Sequence, residues 1–392
     1  MHAIFVLLAV STTVCAIFPN YANEFIDPRF LVNSSSWSDQ TPLSRANIVK
    51  GAAFVATLGP WSVMNKTILA PSNDPKDYLS WAPYAWPDCS EAGNTTELTP
   101  EQIWVQCRYV TRDGQFNPDH HLVNDTGAFY AMSDAVFYNA IAWRLTGSNN
   151  FSTAAVNFIN MWFIDPATSM NPNMNYAQLL RGPGKQMGQY IGILDLRAMA
   201  KIATAVLTLR MGGSSEWTPD IDQGLTKWVN AYIPWMTNSS LAHHERNAPN
   251  NHGSFFYSQL ASLYLIVNDT LSARKAIEEY FSVLYMDQIE ADGEQPMEAS
   301  RALPYHYRIF NLIAMITNAK IGQYVGFDAW NLTTNKGGSI QKAADYVMSL
   351  NASSTGEAKE VEQLFQVVGA VSAVYGDPDG KYREFLQQCG PG

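Results

Sequence analysis

The chain has 392 residues, 47% of them hydrophobic and 12% aromatic, enough for a core of one large domain or two average ones. Its formal net charge of −10 excludes the broad basic field expected of a nucleic-acid-binding protein. No internal apolar run is long enough to cross a bilayer, so no membrane attachment is expected once the leader is gone.

The first element is that leader. Ile4–Val10 is a short apolar run and Val14-Cys15-Ala16 fits a small-residue cleavage site, predicting a signal peptide over 1–16 and a secreted mature domain over 17–392. Removal of Cys15 leaves Cys89, Cys107 and Cys389. In an oxidising compartment Cys89 and Cys107 are expected to pair across a short polar loop, with Cys389 unpaired. Asn-x-Ser/Thr sequons at Asn33, Asn65, Asn94, Asn124, Asn150, Asn238, Asn268, Asn331 and Asn351 predict a glycosylated eukaryotic protein of fungal type.

Residues 17–110 are rich in Pro and Trp and predict short helices and loops leaning on a main body. Within them Trp81-Ala-Pro-Tyr84-Ala-Trp86-Pro87 offers Tyr84 and Trp86 as faces for sugar rings, or else a hydrophobic clamp. Arg112-Asp113-Gly114 and Phe116-Asn117-Pro118 form a turn-rich block. Arg112 could grip a substrate there, or the block could be a turn holding an Arg–Asp pair.

From residue 128 onward the apolar period is helical. Met132, Val136, Ala140 and Trp143 step along one face and Gly147 stops them. The pattern recurs over Met199–Leu209, Phe256–Val267, Ile277–Leu284, Phe310–Ile316 and Leu364–Tyr375. Strand alternation is not evident. The long loops are Asp165–Gly188, Trp235–Gly253 and Asp287–Pro304. Such helices, joined by alternating short and long loops, predict an all-α single domain of stacked pairs closing into an incomplete (α/α) toroid.

The chemistry-bearing types lie in those loops and at helix starts. Met170-Asn171-Pro-Asn173-Met-Asn175-Tyr176-Ala-Gln178 supplies neutral donors and acceptors suited to sugar hydroxyls, with Asn171, Asn173 and Gln178 as candidates; alternatively the loop satisfies its own backbone. Asn250-Asn251-His252-Gly253 offers an amide and an imidazole just before a helix, whose N-terminus could help hold an anion. Its plain alternative is a helix cap with a buried histidine. Glu298-Ala-Ser-Arg301 and Tyr305-His306-Tyr307 add a guanidinium, an imidazole and two phenols. His120-His121 and His243-His244 lack metal-ligand spacing, and no cofactor is expected.

An amide, an imidazole, a guanidinium and a phenol are what β-elimination at a uronic acid requires. The sugar carboxylate must be neutralised, the C5 proton taken and the leaving oxygen protonated. Beside a guanidinium and an imidazole, a phenolate comes within reach. Arg112, Arg181, Lys185, Arg301 and Arg308 lie in or beside these blocks and predict a basic cleft on an acidic body.

The blocks Tyr78-Leu-Ser-Trp-Ala-Pro-Tyr-Ala-Trp-Pro, Arg-Asp-Gly-x-Phe-Asn-Pro, Met-Asn-Pro-Asn-Met-Asn-Tyr-Ala-Gln, Asn-Asn-His-Gly and Glu-x-x-Arg…Tyr…Phe-Asn-Leu resemble the alginate lyase domain family, of the chondroitinase/alginate lyase superfamily. The likeness covers residues 75–330. It implies an incomplete toroid and metal-free β-elimination on an anionic polysaccharide by a monomeric enzyme. It also implies catalytic roles for Asn251, His252, Arg301 and Tyr307. The family has one residue more between the Arg and the Tyr, so anchoring on Arg-Ala-Leu-x-Tyr selects Tyr305 instead. Tyr305 and His306 are then expected at least among the substrate contacts. The polymer could be alginate, glucuronan or another uronate chain. Two other functions stay open: a glycoside hydrolase using a pair from Asp113, Asp195, Asp292 and Glu298, and a silent carbohydrate-binding protein.

Overall fold

The computed structural model describes residues 24–33, 37, 42–93, 97–184 and 186–388. The predicted leader, Asn94, Lys185 and Cys389 lie outside them.

The chain folds into helices α1 (Pro28–Val32), α2 (Pro42–Val55), α3 (Pro100–Gln106), α4 (Asp125–Thr146), α5 (Asn149–Ile159), α6 (Met199–Met211), α7 (Pro219–Asn238), α8 (Ser240–Arg246), α9 (Asn251–Ile266), α10 (Thr270–Ser282), α11 (Pro296–Ala299), α12 (Pro304–Tyr324), α13 (Ile340–Ser349), α14 (Leu364–Tyr375) and α15 (Lys381–Gln388). Helices α4, α6, α9, α12 and α14 form an inner row in which consecutive members touch, while α5, α7, α10 and α13 pack outside it. The inner helices are buried nearly all round; α6 buries every residue from Met199 to Leu209 except Lys201. The outer ones bury a stripe, as α10 does with Ala273, Ala276, Ile277, Tyr280 and Phe281. A helix apolar on all sides must be enclosed, and a striped one must face water on the other side. Together these pairs make the incomplete α/α toroid.

Local chemistry sets the boundaries. Gly147 takes φ 70°, a left-handed conformation that costs glycine little, and its N–H reaches the Trp143 carbonyl to end α4. Thr218 caps α7 by accepting from the Ile221 N–H, with Pro219 in the first turn.

Strands are present where none was expected. β1 (Leu79–Trp81) pairs in parallel with β4 (Tyr176–Leu179), and β2 (Ala85–Asp88) pairs antiparallel with β3 (Arg108–Thr111). They are three or four residues long, too short for a two-residue period to be legible. Cys89 and Cys107 are disulfide-bonded at the open end of the β2–β3 hairpin, as their spacing predicts. The loop expected over Trp235–Gly253 is largely helical, since it holds the end of α7 and all of α8. No helix among the described residues is long and apolar enough to cross a membrane.

Candidate active site

A cleft of about 480 Å³ opens where the hairpin faces α9 and α12, and Tyr84, Gln178, Asn251, His252, Arg301, His306 and Tyr307 all line it. The two sequence blocks therefore meet in one cavity.

Asn250 is the cap of α9, accepting from the His252 N–H, so Asn251 and His252 occupy its first turn. Asn251 is fully buried and gives both its backbone N–H and its side-chain Nδ2 to Glu298, at 2.7 and 2.8 Å. One carboxylate thus fixes the amide, leaving one Nδ2 hydrogen for a ligand, while Oδ1 has no protein partner. These contacts occupy the first two N–H groups of α9. The expectation that the helix N-terminus itself would hold a sugar carboxylate therefore fails at these positions. Gly253 permits the tight entry, because a Cβ there would lie 2.2 Å from the Ala248 carbonyl oxygen.

His252 is held from behind. Its Nδ1 lies 2.8 Å from Oε1 of Glu245, which is wholly buried at the end of α8. A carboxylate can only accept, so Nδ1 carries the proton and Nε2 is left for the cleft. Burial pushes the Glu245 carboxyl up, and His252 pulls it back down. Sequence reasoning missed Glu245. Its one clue is a Glu-Arg pair closing the segment just before Asn-Asn-His-Gly.

Arg301 is forked onto Asp113, with Nη2 to Oδ1 at 2.7 Å and Nε to Oδ2 at 3.1 Å; the Ala302 N–H adds a third bond at 3.0 Å. The Arg-Asp-Gly turn is therefore a tertiary clasp rather than a local Arg–Asp pair. The Arg301 guanidinium lies 3.7 Å from the centroid of the Tyr307 ring. The Tyr307 hydroxyl is 2.9 Å from that of Tyr84. Burial, then the Tyr84 hydrogen bond, push the Tyr307 phenol well above its usual range against the pull of Arg301. The expected easy phenolate is thus not found in the empty cleft: Asp113 already balances Arg301, and desolvation wins.

Tyr305 and Tyr307 part company. Tyr305 packs into the main core, while Tyr307 lines the cleft. At 100° per residue, positions two apart point in opposed directions, so one helix cannot present both. His306 lines the cleft with Nδ1 3.0 Å from Oε1 of Gln363 and its ring stacked on Phe310.

Other sequence candidates lie elsewhere. Asn171 donates to Asp74 and Asp77, and the Asn173 side chain accepts from the Asn175 N–H, so that loop satisfies itself. Trp86 gives its indole N–H to the Gln115 carbonyl and Arg112 lies over its ring at 5.2 Å; neither lines the cleft. Gln178 does, held at φ 45° with Nε2 3.0 Å from the buried Asp195.

The predicted basic lining is also spent. Arg181 pairs with Asp119, Arg308 with Glu294 and Arg301 with Asp113. The hydrolase carboxylates fare similarly. Asp113 and Glu298 are engaged as above, Asp195 accepts from Tyr78, Ser80, Thr126 and Gln178, and Asp292 accepts from the Glu294 N–H. No two of them face each other across the cleft as free acids.

Residues 62–356 match the alginate lyase family. A crystal structure of an alginate lyase from Bacteroides ovatus is similar with a TM-score of 0.80 and 29% identity, over 95% of this chain and 96% of that one. An apo form of alginate lyase A1-III is similar at a TM-score of 0.50 and 15% identity, over 85% and 88%. The A1-III structure from Sphingomonas species A1 gives 0.49 and 16%, over 84% and 88%. No curated protein matches.

Proposed function

This chain belongs to the alginate lyase family and is a polysaccharide lyase, and from that premise we propose how its cleft cleaves a uronate polymer. The substrate carboxylate meets the free Nδ2 hydrogen of Asn251 and the unshared N–H groups of Arg301. Both grow stronger as negative charge builds on the enolate-like transition state. Nε2 of His252 takes the C5 proton, and Glu245 balances the imidazolium that forms. The electron pair of the C5–H bond becomes the C4=C5 double bond, and the C4–O4 bond breaks. Tyr307, kept as a neutral phenol, gives its proton to the leaving O4, and Tyr84 at 2.9 Å can return one from solvent. The products are an unsaturated uronate end and a free hydroxyl.

One observation carries this division of labour. Buried Glu245 fixes the proton on Nδ1 of His252, while burial holds Tyr307 protonated. Environments that push two groups apart in this way mark a base and an acid. The test is exchange of the C5 hydrogen in heavy water. Tyr307→Phe should keep the exchange and lose the ultraviolet absorbance of the unsaturated product. If Tyr307→Phe loses both, the tyrosine performs both proton transfers and His252 serves only the carboxylate. Polymannuronate, polyguluronate and glucuronan assayed side by side decide the polymer, with alginate proposed first from the family.

We further propose that the enzyme is secreted, glycosylated and monomeric. Each described sequon asparagine, from Asn33 and Asn65 to Asn331 and Asn351, is exposed, whereas Asn117, Asn139, Asn251, Asn311 and Asn318 outside sequons are buried. Release of mass by an N-glycosidase from protein expressed in a eukaryotic host tests the glycans.

A further inference from the structure

The cleft does not end at the catalytic groups. A second cavity of about 400 Å³ adjoins it, and the two share Tyr130, Arg197, His306 and Phe310 as a common wall. Arg197 follows the short 3-10 turn Tyr190–Leu196, directly before α6. Its guanidinium lies 4.4 Å from the Tyr130 ring centroid and 5.1 Å from that of Phe310, and it donates to the Tyr130 hydroxyl. Among the described residues no carboxylate oxygen lies within 4 Å of it.

That sets Arg197 apart from its neighbours. Arg301 has spent part of its fork on Asp113, and Lys201 in the second cavity is paired with Asp134 at 2.7 Å and Glu24 at 3.8 Å. Arg197 presents a positive charge to the cleft with no protein anion to answer it. The aromatic faces beside it hold the planar fork in place, so little side-chain freedom remains to be lost when a ligand binds. A guanidinium so held matches a carboxylate in two-pronged geometry.

We propose that Arg197 binds the carboxylate of the uronate adjacent to the sugar being cleaved, and so makes the enzyme prefer runs of consecutive uronates. The proposal rests on the polyuronate reading of the cleft, and it adds the requirement for a second acidic sugar. A polymer in which uronate alternates with a neutral sugar leaves Arg197 desolvated and unanswered, which disfavours it. Beyond Arg197, Glu24 and Asp134 face the second cavity, so the favourable place for that carboxylate is on the Arg197 side.

The experiment is calorimetric binding of two tetrasaccharides, one all uronate and one alternating uronate with a neutral hexose, to wild type, Arg197→Gln and Arg197→Lys. Wild type should prefer the all-uronate ligand by about ten- to a hundredfold, the range for a charge-assisted hydrogen bond. Arg197→Gln should erase the preference, and Arg197→Lys should restore part of it. A purely structural role would weaken both ligands alike and leave the ratio intact, which overturns the proposal. Equal binding of the two by wild type also overturns it. Thermal unfolding of each variant separates lost folding from lost recognition, with Arg197→Lys as the milder case. Product absorbance on the same wild-type samples keeps the two readings distinct. An Arg197-dependent preference without the unsaturated product sinks the lyase chemistry and leaves the subsite standing.

Discussion

The two walls of the cleft hold their working groups in different ways. On the helical wall, Asn251 and His252 are each gripped by a fully buried carboxylate, Glu298 and Glu245, from a neighbouring short helix. On the hairpin wall, Tyr84 and Asp113 reach across to Tyr307 and Arg301 from partly exposed positions. A buried ionisable partner has no water to fall back on, so it fixes geometry and tautomer at a cost in desolvation. A partly exposed one is replaceable by solvent and is worth less. The helical wall should therefore be brittle and the hairpin wall forgiving.

The sharpest expectation lies where the walls meet. Tyr307→Phe should lose about 10²–10⁴-fold in kcat with little change in KM, the usual range for a proton-transfer group. Tyr305→Phe should stay near wild type, because its ring is in the core. A dead Tyr305→Phe beside an active Tyr307→Phe would break the assignment. Next comes the helical wall. Glu245→Gln keeps the shape but cannot balance an imidazolium, and should cost about 10²-fold in kcat. Its pH–rate profile should lose the limb that reports the histidine; an unchanged profile would make Glu245 merely structural.

The hairpin wall should answer in stability more than in rate. Replacing Cys89 and Cys107 by serine opens a loop of 18 residues and should cost about 3 kcal/mol in chemical denaturation. Turnover in the cold should be nearly unchanged, since the β2–β3 pairing remains. If turnover collapses instead, the hairpin is as critical as the helical wall and the contrast fails. The smallest effect is expected for Asp113→Asn, under about 1 kcal/mol, since the ion pair is partly exposed.

The pH dependence of stability should separate deep from shallow carboxylates. The Arg301 hydrogen bonds, foremost, hold the Asp113 carboxyl below its usual range. Its folded value is lower than its unfolded one, so its contribution is present above the unfolded value and is lost as pH falls through the folded one. Asp125 behaves oppositely: burial pushes it up to about 6, against Lys66. Its folded value exceeds the unfolded one, so its contribution is full below the unfolded value and is lost as pH rises through about 6. Melting temperature against pH for Asp125→Asn and Asp113→Asn should therefore depart from wild type at opposite ends. Departure at the same end would refute the distinction.

Much of this molecule is written locally. The helix at Met132–Trp143 with Gly147 after it, the helix at Met199–Leu209 and the one at Phe256–Val267 follow from apolar spacing and stop residues, which act within a turn or two of the chain. The pairing of Cys89 with Cys107 follows from a short span in an oxidising setting. The residue types of the site, and the two blocks carrying them, were legible for the same reason. Partnership was not. Asp113 meets Arg301 across 188 residues and Tyr84 meets Tyr307 across 223, and no local period encodes such distances. The Asn-rich loop and the Asn-Asn-His block look equally polar in sequence, yet one folds onto Asp74 and Asp77 while the other lines the cleft. Only the closing of the helices decided which carboxylates went into the dark behind Asn251 and His252, which tyrosine faced the cavity, and that Arg197 alone among these cations kept its charge unanswered. Burial and long-range pairing are properties of the packed whole, and desolvation, which sets their energies, has no value until the chain has folded.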